Sequence, residues 1–301
     1  MPPRRRAEAD EAFPLAAPLA EAARGGPGGV KPDALTGVQS QKKNYAQRFS
    51  NELAKVVADR VRPRYPRARV TPFEDGRGQE FTVGAAIDKK KTDVGVWDDA
   101  AGLVLGVSIK TYSFRDPSTK HGVTRLGRYQ KNVKRNDMEL RDEADVLHRR
   151  QPFAVLAALF FLPLDACWDA GSPNGNSSFA HVVFTLRKRT GRTDPHTSRS
   201  DLFERVYVGL FSDDGAVRFF DVAQPPRRNQ PPSPDQTLSL AQLVDQLADD
   251  VTVRNVGSLP ADRYTPDDAA WTPPSGAEDF DEDVPLLFED ALEEFDDDED
   301  E

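Results

Sequence analysis

The sequence predicts a mixed α/β domain in which helices flank a central sheet. Three patterns support this fold class. Residues 41–62 have the spacing of an amphipathic helix, residues 92–98 and 103–111 look like two neighbouring strands, and residues 153–162 form an unbroken apolar run. The predicted element order is helix, strands, helix, strand, helix, hairpin, helix, which is an order that places one sheet between helical layers.

The first helix is predicted from apolar residues that recur every three or four positions, and Pro63 ends it. A short strand interrupted by Pro72 is predicted at 68–74. The strands at 92–98 and 103–111 are joined by a DDAAG turn. A loop is expected over 112–121.

A helical region is predicted over 122–149, because Leu140, Ala144 and Leu147 share one helical face. The run at 153–162 is apolar at every position, which is typical of a strand buried on both faces. A helix at 179–189, a hairpin formed by 203–211 and 216–222, and a last amphipathic helix at 237–251 complete the domain.

The segments outside this domain have different compositions. Residues 1–37 are rich in Ala, Pro, Gly and Arg and contain the linker-like GGPGGVKP, so little fixed structure is expected there. Residues 255–301 are Pro-rich and then acidic, which predicts a disordered tail. The expected division is therefore a disordered segment at 1–37, an α/β domain at 38–254 and an acidic tail at 255–301.

The net charge of −10 conceals two parts of opposite sign. Residues 255–301 hold 18 acidic and 1 basic residue, whereas residues 1–254 hold 39 basic and 32 acidic residues, a net charge of +7. A basic body suits an anionic partner such as nucleic acid. The tail has three readings: a solubilising segment, a protein-binding element built on VPLLF, or a screen for the basic surface of the body.

The cysteine content and the lack of long apolar runs exclude several classes of protein. The single cysteine, Cys167, excludes an internal disulfide and a cysteine-rich zinc site. No apolar run has the length of a membrane span, and MPPRRR is not followed by the apolar region of a signal peptide. A cytoplasmic protein with no membrane partner is expected.

The residues that suggest chemistry lie on the hairpin at 92–111. Asp93 heads the first strand, Lys110 lies near the end of the second, and Ser108 shares a strand face with Lys110. The turn between the strands allows Asp93 and Lys110 to lie side by side. A carboxylate beside a lysine suits a Mg²⁺-dependent phosphodiesterase, because the carboxylate holds the metal and the lysine positions or activates a water.

A helix, a hairpin that carries Asp and x-Lys, a second helix and a strand together resemble the PD-(D/E)XK nuclease superfamily, which includes restriction endonucleases and Holliday-junction resolvases. The resemblance covers residues 41 to about 165. It implies a restriction-endonuclease-like mixed sheet, with Asp93 as the motif aspartate that binds metal and Lys110 as the motif lysine.

Ser108 departs from the pattern, because the family usually has Asp or Glu at that position. A hydroxyl carries no charge and is a weaker ligand for Mg²⁺ than a carboxylate. Glu52, on the preceding helix, is therefore expected to complete the metal site with Asp93, and Ser108 is expected to assist by hydrogen bonding or through a water. Glu80 and Asp88 are the alternative candidates for this second carboxylate.

A basic segment follows the hairpin. Between residues 110 and 135 there are eight basic residues and one acid, Asp116. Besides Lys110, the basic residues predicted to bind nucleic acid are Arg115, Lys120, Arg125, Arg128, Lys131, Lys134 and Arg135. The alternative for this segment is a solvated helix face.

These residues favour a Mg²⁺- or Mn²⁺-dependent DNA endonuclease, and the resemblance implies a role in restriction or antiviral defence. DNA is the expected partner, a homodimer is possible because double-strand cleavage usually needs two copies, and the tail is open to a protein partner. One alternative is an inactive nuclease-like domain that binds nucleic acid or a protein. Another is an adaptor whose working part is the tail.

Overall fold

A computed structural model of the chain describes residues 13–74, 77–78, 81–83, 90–115, 117–120, 122–172 and 174–255, with the backbone alone at 81–83, 90–91, 118 and 120. The chain divides into two units, Met1–Pro260 and Ala261–Glu301. All the described residues belong to the first unit, whose fold is given below.

Five α-helices lie in the described part of the chain. They are α1 (Ala16–Arg24), α2 (Gln39–Val61), α3 (Val133–Arg150), α4 (Ser178–Leu186) and α5 (Leu240–Arg254). Short 3₁₀ turns occur at Pro27–Gly29, Arg62–Arg64, Leu164–Cys167, Arg187–Arg189 and Pro234–Gln236. Ser239 and Gln242 form a capping box that starts α5. Among the helices described, none has the length and apolarity that crossing a bilayer requires.

The strands are short at the edges of the fold and long at its centre. They are β1 (Arg69–Thr71), β2 (Phe81–Val83), β3 (Lys90–Thr92), β4 (Val94–Asp98), β5 (Gly102–Thr111), β6 (Pro117–Lys120), β7 (Val123–Leu126), β8 (Val155–Pro163), β9 (Arg205–Phe211), β10 (Val217–Asp221) and β11 (Thr237–Leu238).

A seven-stranded mixed sheet runs through the unit in the order β1-β4-β5-β8-β9-β10-β11. β5 is parallel to β8, and β8 is parallel to β9, whereas the other neighbours are antiparallel. Two small ribbons, β2-β3 and β6-β7, form separate two-stranded sheets. The fold class predicted from the sequence, α/β with a central mixed sheet between helices, is therefore confirmed.

Strand β8 lies at the centre of two apolar cores. Val155, Leu159 and Phe161 pack into the core shared with α1, α2 and α5, whereas Leu156 and Phe160 pack into the core shared with α3 and α4. Successive strand residues point to opposite faces, so an all-apolar strand fills both cores. The prediction of a strand buried on both faces is confirmed.

Most predicted elements are present, but the helical region at 122–149 is wrong in its first half. The helix begins only at Val133, and the ribbon β6-β7 precedes it. The residues before the helix explain the difference. Gly122 has a φ of +76° in the ribbon turn, and Asn132 has a φ of 66°, a left-handed conformation that an α-helix cannot include.

The N-terminal segment also differs from its prediction. Residues 1–12 lie outside the described residues, but residues 13–37 include helix α1 rather than little fixed structure. Leu15 is buried in the core, and its N–H donates to the carbonyl of Gly215 at 3.1 Å. This part of the segment therefore packs against the turn between β9 and β10. The predicted tail at 255–301 lies outside the described residues apart from Asn255.

Candidate functional site

The alternation of strand β5 separates its core residues from its polar residues. Val107 and Ile109 pack in the core beneath α2. Ser108 and Lys110, the residues between and after them, therefore face the side of the sheet that carries α3. Ser108 is buried, and the side chain of Lys110 is 27% exposed.

Asp93 lies immediately before strand β4 and contacts strand β5. The register pairs Val94 with Val107, and its continuation by one residue sets Asp93 beside Ser108. The Asp93 Oδ2 atom accepts a hydrogen bond from the Ile109 N–H at 2.6 Å. The backbone of β5 therefore fixes the Asp93 carboxylate between the two positions, 108 and 110, that the sequence singled out.

Helix α3 supplies two carboxylates to this region. The Ser108 hydroxyl donates a hydrogen bond to Glu143 Oε1, and Lys110 Nζ lies 3.3 Å from Glu139 Oε2. Glu139 Oε1 also accepts from Arg135 Nε at 2.8 Å. Burial acts to raise the pKa of Glu139, but the nearby charges and hydrogen bonds of Lys110 and Arg135 outweigh it and hold the pKa below its ordinary value.

Sequence reasoning did not select Glu139 or Glu143, although the sequence holds a signal for Glu143. Glu143 lies three residues after Leu140 and four before Leu147, so it belongs to the apolar stripe of α3 and is buried with it. A carboxylate within an apolar helical stripe needs a polar partner. Such a residue is therefore a candidate for a buried polar contact with the sheet.

A cavity of about 550 Å³ joins β5 to the first half of α2. Asp93 and Lys110 both line it, as do Thr111, Tyr112 and Ser113 along the end of the strand. From α2, the lining residues are Gln39, Lys42, Lys43, Ala46, Gln47 and Ser50. Their spacing of three and four residues marks the helical face that looks onto the cavity.

Glu52 does not belong to that face. It lies two residues after Ser50, which is more than half a turn around the helix, and it is absent from the described lining of the cavity. Its Oε1 atom instead accepts a hydrogen bond from Lys55 Nζ at 2.7 Å. The expectation that Glu52 joins Asp93 is thus not supported by its position. Glu80 and Asp88 lie outside the described residues.

The cavity is electropositive. Lys42, Lys43, Lys110, Arg115 and Lys131 line it, whereas Asp93 is the one acidic residue on its described wall. Ser113 also lines the cavity, and its buried Oγ atom has no hydrogen-bond partner in the described part of the chain. Such a surface attracts anions, and phosphate oxygens are acceptors for both ammonium groups and hydroxyls.

The predicted nucleic-acid-binding residues are distributed over a loop, a ribbon and the start of α3, not along one helix. Arg115 lies 2.7 Å from Asp165 Oδ2. Arg128 donates to the carbonyl of Asn176 at 3.2 Å, and Arg135 pairs with Glu139. Arg125, Lys131 and Lys134 are exposed, whereas the side chain of Lys120 is not described.

Within the described ranges, no group of three or more His, Cys, Asp or Glu side chains is arranged to hold a metal ion. The carboxylates described beside strand β5 are those of Asp93, Glu139 and Glu143, and they do not form such a group. No protein-family model, curated protein or solved structure matches this chain.

Proposed function

We propose that this chain is a Mg²⁺- or Mn²⁺-dependent DNA endonuclease with a restriction-endonuclease-like core of the PD-(D/E)XK type. The observation that carries the proposal is that Asp93 and Lys110 line one electropositive cavity. The order of elements agrees with the resemblance: α2, the β4-β5 hairpin, α3 and then β8, which is parallel to β5. A role in restriction or antiviral defence is part of the same proposal.

A two-carboxylate site fits Mg²⁺. This ion usually binds one or two protein carboxylates and completes its shell with waters and substrate phosphates, so a third acidic side chain is not required. Asp93 lines the cavity and is held in place by the Ile109 N–H. Glu143 is buried and, like Glu52, does not line the described cavity, but it contacts Ser108, the position where the family usually has an acid. Asp93 and Glu143 would hold the metal, which would neutralise phosphate charge and lower the pKa of a bound water.

Lys110 would act on the phosphate. Its ammonium group lies on the cavity wall and is oriented by Glu139 at 3.3 Å. An ammonium at this place stabilises the negative charge that develops on the phosphoryl oxygens and positions the attacking water. Ser108 would act through Glu143, because its hydroxyl donates to that carboxylate and restricts its rotamer.

The other lining cations suit the backbone of a nucleic acid. Lys42 and Lys43 come from α2, whereas Arg115 and Lys131 come from the segment after β5, so the cavity is bordered by positive charge on two sides. Contacts of this kind fix the register of a strand without reading its sequence. Binding should therefore weaken steeply as salt rises.

The second candidate is a nuclease-like domain that binds nucleic acid or a protein and does not cut. Two observations favour it: a serine stands at position 108, and no group of three potential ligands occurs among the described residues. Such a protein would bind through the basic cavity but would not cleave phosphodiester bonds.

Cleavage of DNA in the presence of Mg²⁺ or Mn²⁺ tests the proposal. Asp93→Asn and Lys110→Ala should each abolish cleavage while leaving thermal unfolding close to that of the unmodified protein. Lys55→Ala is the matched control, because Lys55 pairs with Glu52 and does not line the described cavity. Equal cleavage by all four proteins would refute the assignment. Tight DNA binding without cleavage would favour the second candidate.

A further inference from the structure

A small ribbon projects between the end of β5 and the start of α3. Strands β6 and β7 pair in a register that runs from Pro117 with Leu126 to Lys120 with Val123, and they belong to no larger sheet. Val123 and Leu126 are 52% and 44% exposed. A two-stranded ribbon has little stability of its own, so an exposed one that carries apolar side chains suggests a contact surface.

The base of the ribbon lies at the candidate site. Pro117 lines the cavity that contains Asp93 and Lys110. Leu126 lines a second cavity of about 390 Å³. The two cavities share four lining residues, Ser113, Phe114, Arg115 and Tyr129. A partner that binds the ribbon would therefore lie next to the cavity that Lys110 lines.

The excess of basic residues in and around the ribbon favours an anionic partner. Residues 115–128, which include the ribbon and its flanks, hold four basic residues and one acid. Of the basic residues, Arg115 is paired with Asp165, and the side chain of Lys120 is not described. Arg125 is exposed on β7, where it pairs in register with position 118. The complementary partner is a polyanion, and at this site the relevant one is nucleic acid.

The shape and composition of the ribbon indicate whether it would bind double-stranded or single-stranded nucleic acid. The major groove of B-DNA is about 12 Å wide and admits a two-stranded β-ribbon. Single strands are instead held by aromatic side chains on which the bases stack. Residues 117–126 contain no Phe, Tyr or Trp, and their exposed apolar side chains are aliphatic.

We propose that the β6-β7 ribbon enters the groove of duplex DNA and holds the duplex against the Lys110 cavity. The inference depends on the proposed function for the identity of the cavity, and it adds the substrate class: double-stranded rather than single-stranded DNA. Val123 and Arg125 supply the groove contacts, with the aliphatic side chain against base edges and the guanidinium on base or phosphate oxygens.

A shortened ribbon tests this directly. Because Pro117 and Leu126 are paired, an Asn-Gly turn can replace residues 118–125 and close the ribbon at its base. Binding to a short duplex and to one of its single strands is measured by fluorescence anisotropy without metal. The shortened protein should lose about tenfold or more in duplex affinity and little in single-strand affinity. Thermal unfolding of both proteins checks that the fold is kept.

Point variants provide the matched control. Arg125→Gln and Arg60→Gln remove the same charge, the first from the ribbon and the second from an exposed position near the end of α2. Only Arg125→Gln should weaken duplex binding more than single-strand binding. Equal losses on both substrates, or no loss from the shortened ribbon, would overturn the inference. The latter result would leave a protein partner as the occupant of the ribbon.

This assay separates failure of the inference from failure of the proposed function. Binding is read without metal and without cleavage, so an inactive protein can still show the duplex preference. Conversely, an active nuclease that is unaffected by ribbon shortening would retain its function and refute the role of the ribbon.

Discussion

The hydroxyl of Ser108 on strand β5 donates a hydrogen bond to the carboxylate of Glu143 on helix α3. The two residues are 35 positions apart in the sequence, and both are buried. In the proposed PD-(D/E)XK resemblance, Ser108 stands where an acid is usual, and it contacts an acid from another element. This contact leads to the first two predictions.

Glu143 should matter more than Glu52. Glu143→Gln removes a carboxylate that contacts the strand of the candidate site, whereas Glu52→Gln changes a residue paired with Lys55. We expect Glu143→Gln to weaken Mg²⁺ binding and cleavage by about tenfold or more, because the charge of a hard-cation ligand is lost. Isothermal titration with Mg²⁺ and cleavage assays measure both effects.

If Glu52→Gln weakened Mg²⁺ binding and cleavage as much as Glu143→Gln does, Glu52 would have to be part of the metal site. Asp142→Asn is a second control, because Asp142 is an exposed carboxylate one residue before Glu143.

Ser108→Asp should make stability depend on Mg²⁺. The substitution replaces a donor with a carboxylate and places two buried acids in contact, which should cost about 1–3 kcal/mol of unfolding free energy in the absence of metal. A cation bound between the two acids would relieve the repulsion. Thermal unfolding with and without Mg²⁺ should therefore show a larger metal-induced rise in Tm than in the unmodified protein.

Ser108→Asn, which is similar in size and uncharged, is the control for steric effects. The same Mg²⁺ response in Ser108→Asp, Ser108→Asn and the unmodified protein would mean that no cation binds at this position.

Glu204 should dominate the acid sensitivity of the fold. Its carboxylate accepts from the Leu156 N–H at 2.7 Å and lies within 3.0 Å of both Arg192 and Arg254. Burial acts to raise the pKa of Glu204, but the nearby His148 imidazole, whose Nε2 lies 3.3 Å from Glu204 Oε2, together with the Leu156 N–H and Arg192, holds the pKa below its ordinary value.

The unfolded chain therefore takes up this proton at a higher pH than the folded chain does. The contribution of Glu204 to stability is fully present above the ordinary pKa of about 4.3 and is lost as the pH falls through it toward the lower folded value. Glu204→Gln should cost about 3–5 kcal/mol near neutral pH, because Arg192 and Arg254 lose their buried partner. The cost should shrink in acid.

Urea unfolding at neutral and acidic pH measures this change. Glu21→Gln is the control, since Glu21 forms a pair with Arg24 that is open to solvent. A Glu204→Gln cost that stays constant from neutral to acidic pH would contradict the predicted linkage.

Removal of the acidic tail should strengthen non-specific DNA binding. Residues 255–301 carry a net charge of −17 and residues 1–254 a net charge of +7, so we expect the acidic residues to compete with DNA for the basic residues of the body. We expect the protein without residues 275–301 to bind DNA more tightly at low salt. The gain should diminish as salt rises, because the Debye length is only about 8 Å at physiological ionic strength.

Binding curves for the full chain and the truncated protein at several salt concentrations decide the point. A variant with residues 296–301 replaced by Ser and Gly separates the terminal charge run from VPLLF. Superimposed curves at low salt would exclude screening by the tail and would favour a protein partner for VPLLF.

Much of the fold could be predicted because its signals are local. The spacing of Tyr45, Phe49 and Leu53 predicts α2, and the unbroken apolar run at 153–162 predicts β8 as a strand buried on both faces. Local patterns also misled at 122–132, where Gly122 and Asn132 adopt left-handed conformations. The apolar face that predicted the helix lies in its second half, at Leu140, Ala144 and Leu147, and gives no information on residues 122–132.

That Asp93 and Lys110 lie on one hairpin could be predicted from the sequence, because a short turn forces two consecutive strands to pair with each other. Which other carboxylates contact this hairpin became apparent only from the folded structure. Glu143 and Glu139 contact Ser108 and Lys110 of β5 because α3 packs on that face of the sheet, whereas Glu52 pairs with Lys55 on α2. These choices depend on how helices rotate and dock on a sheet, and that is set by long-range packing of the two cores rather than by neighbouring residues.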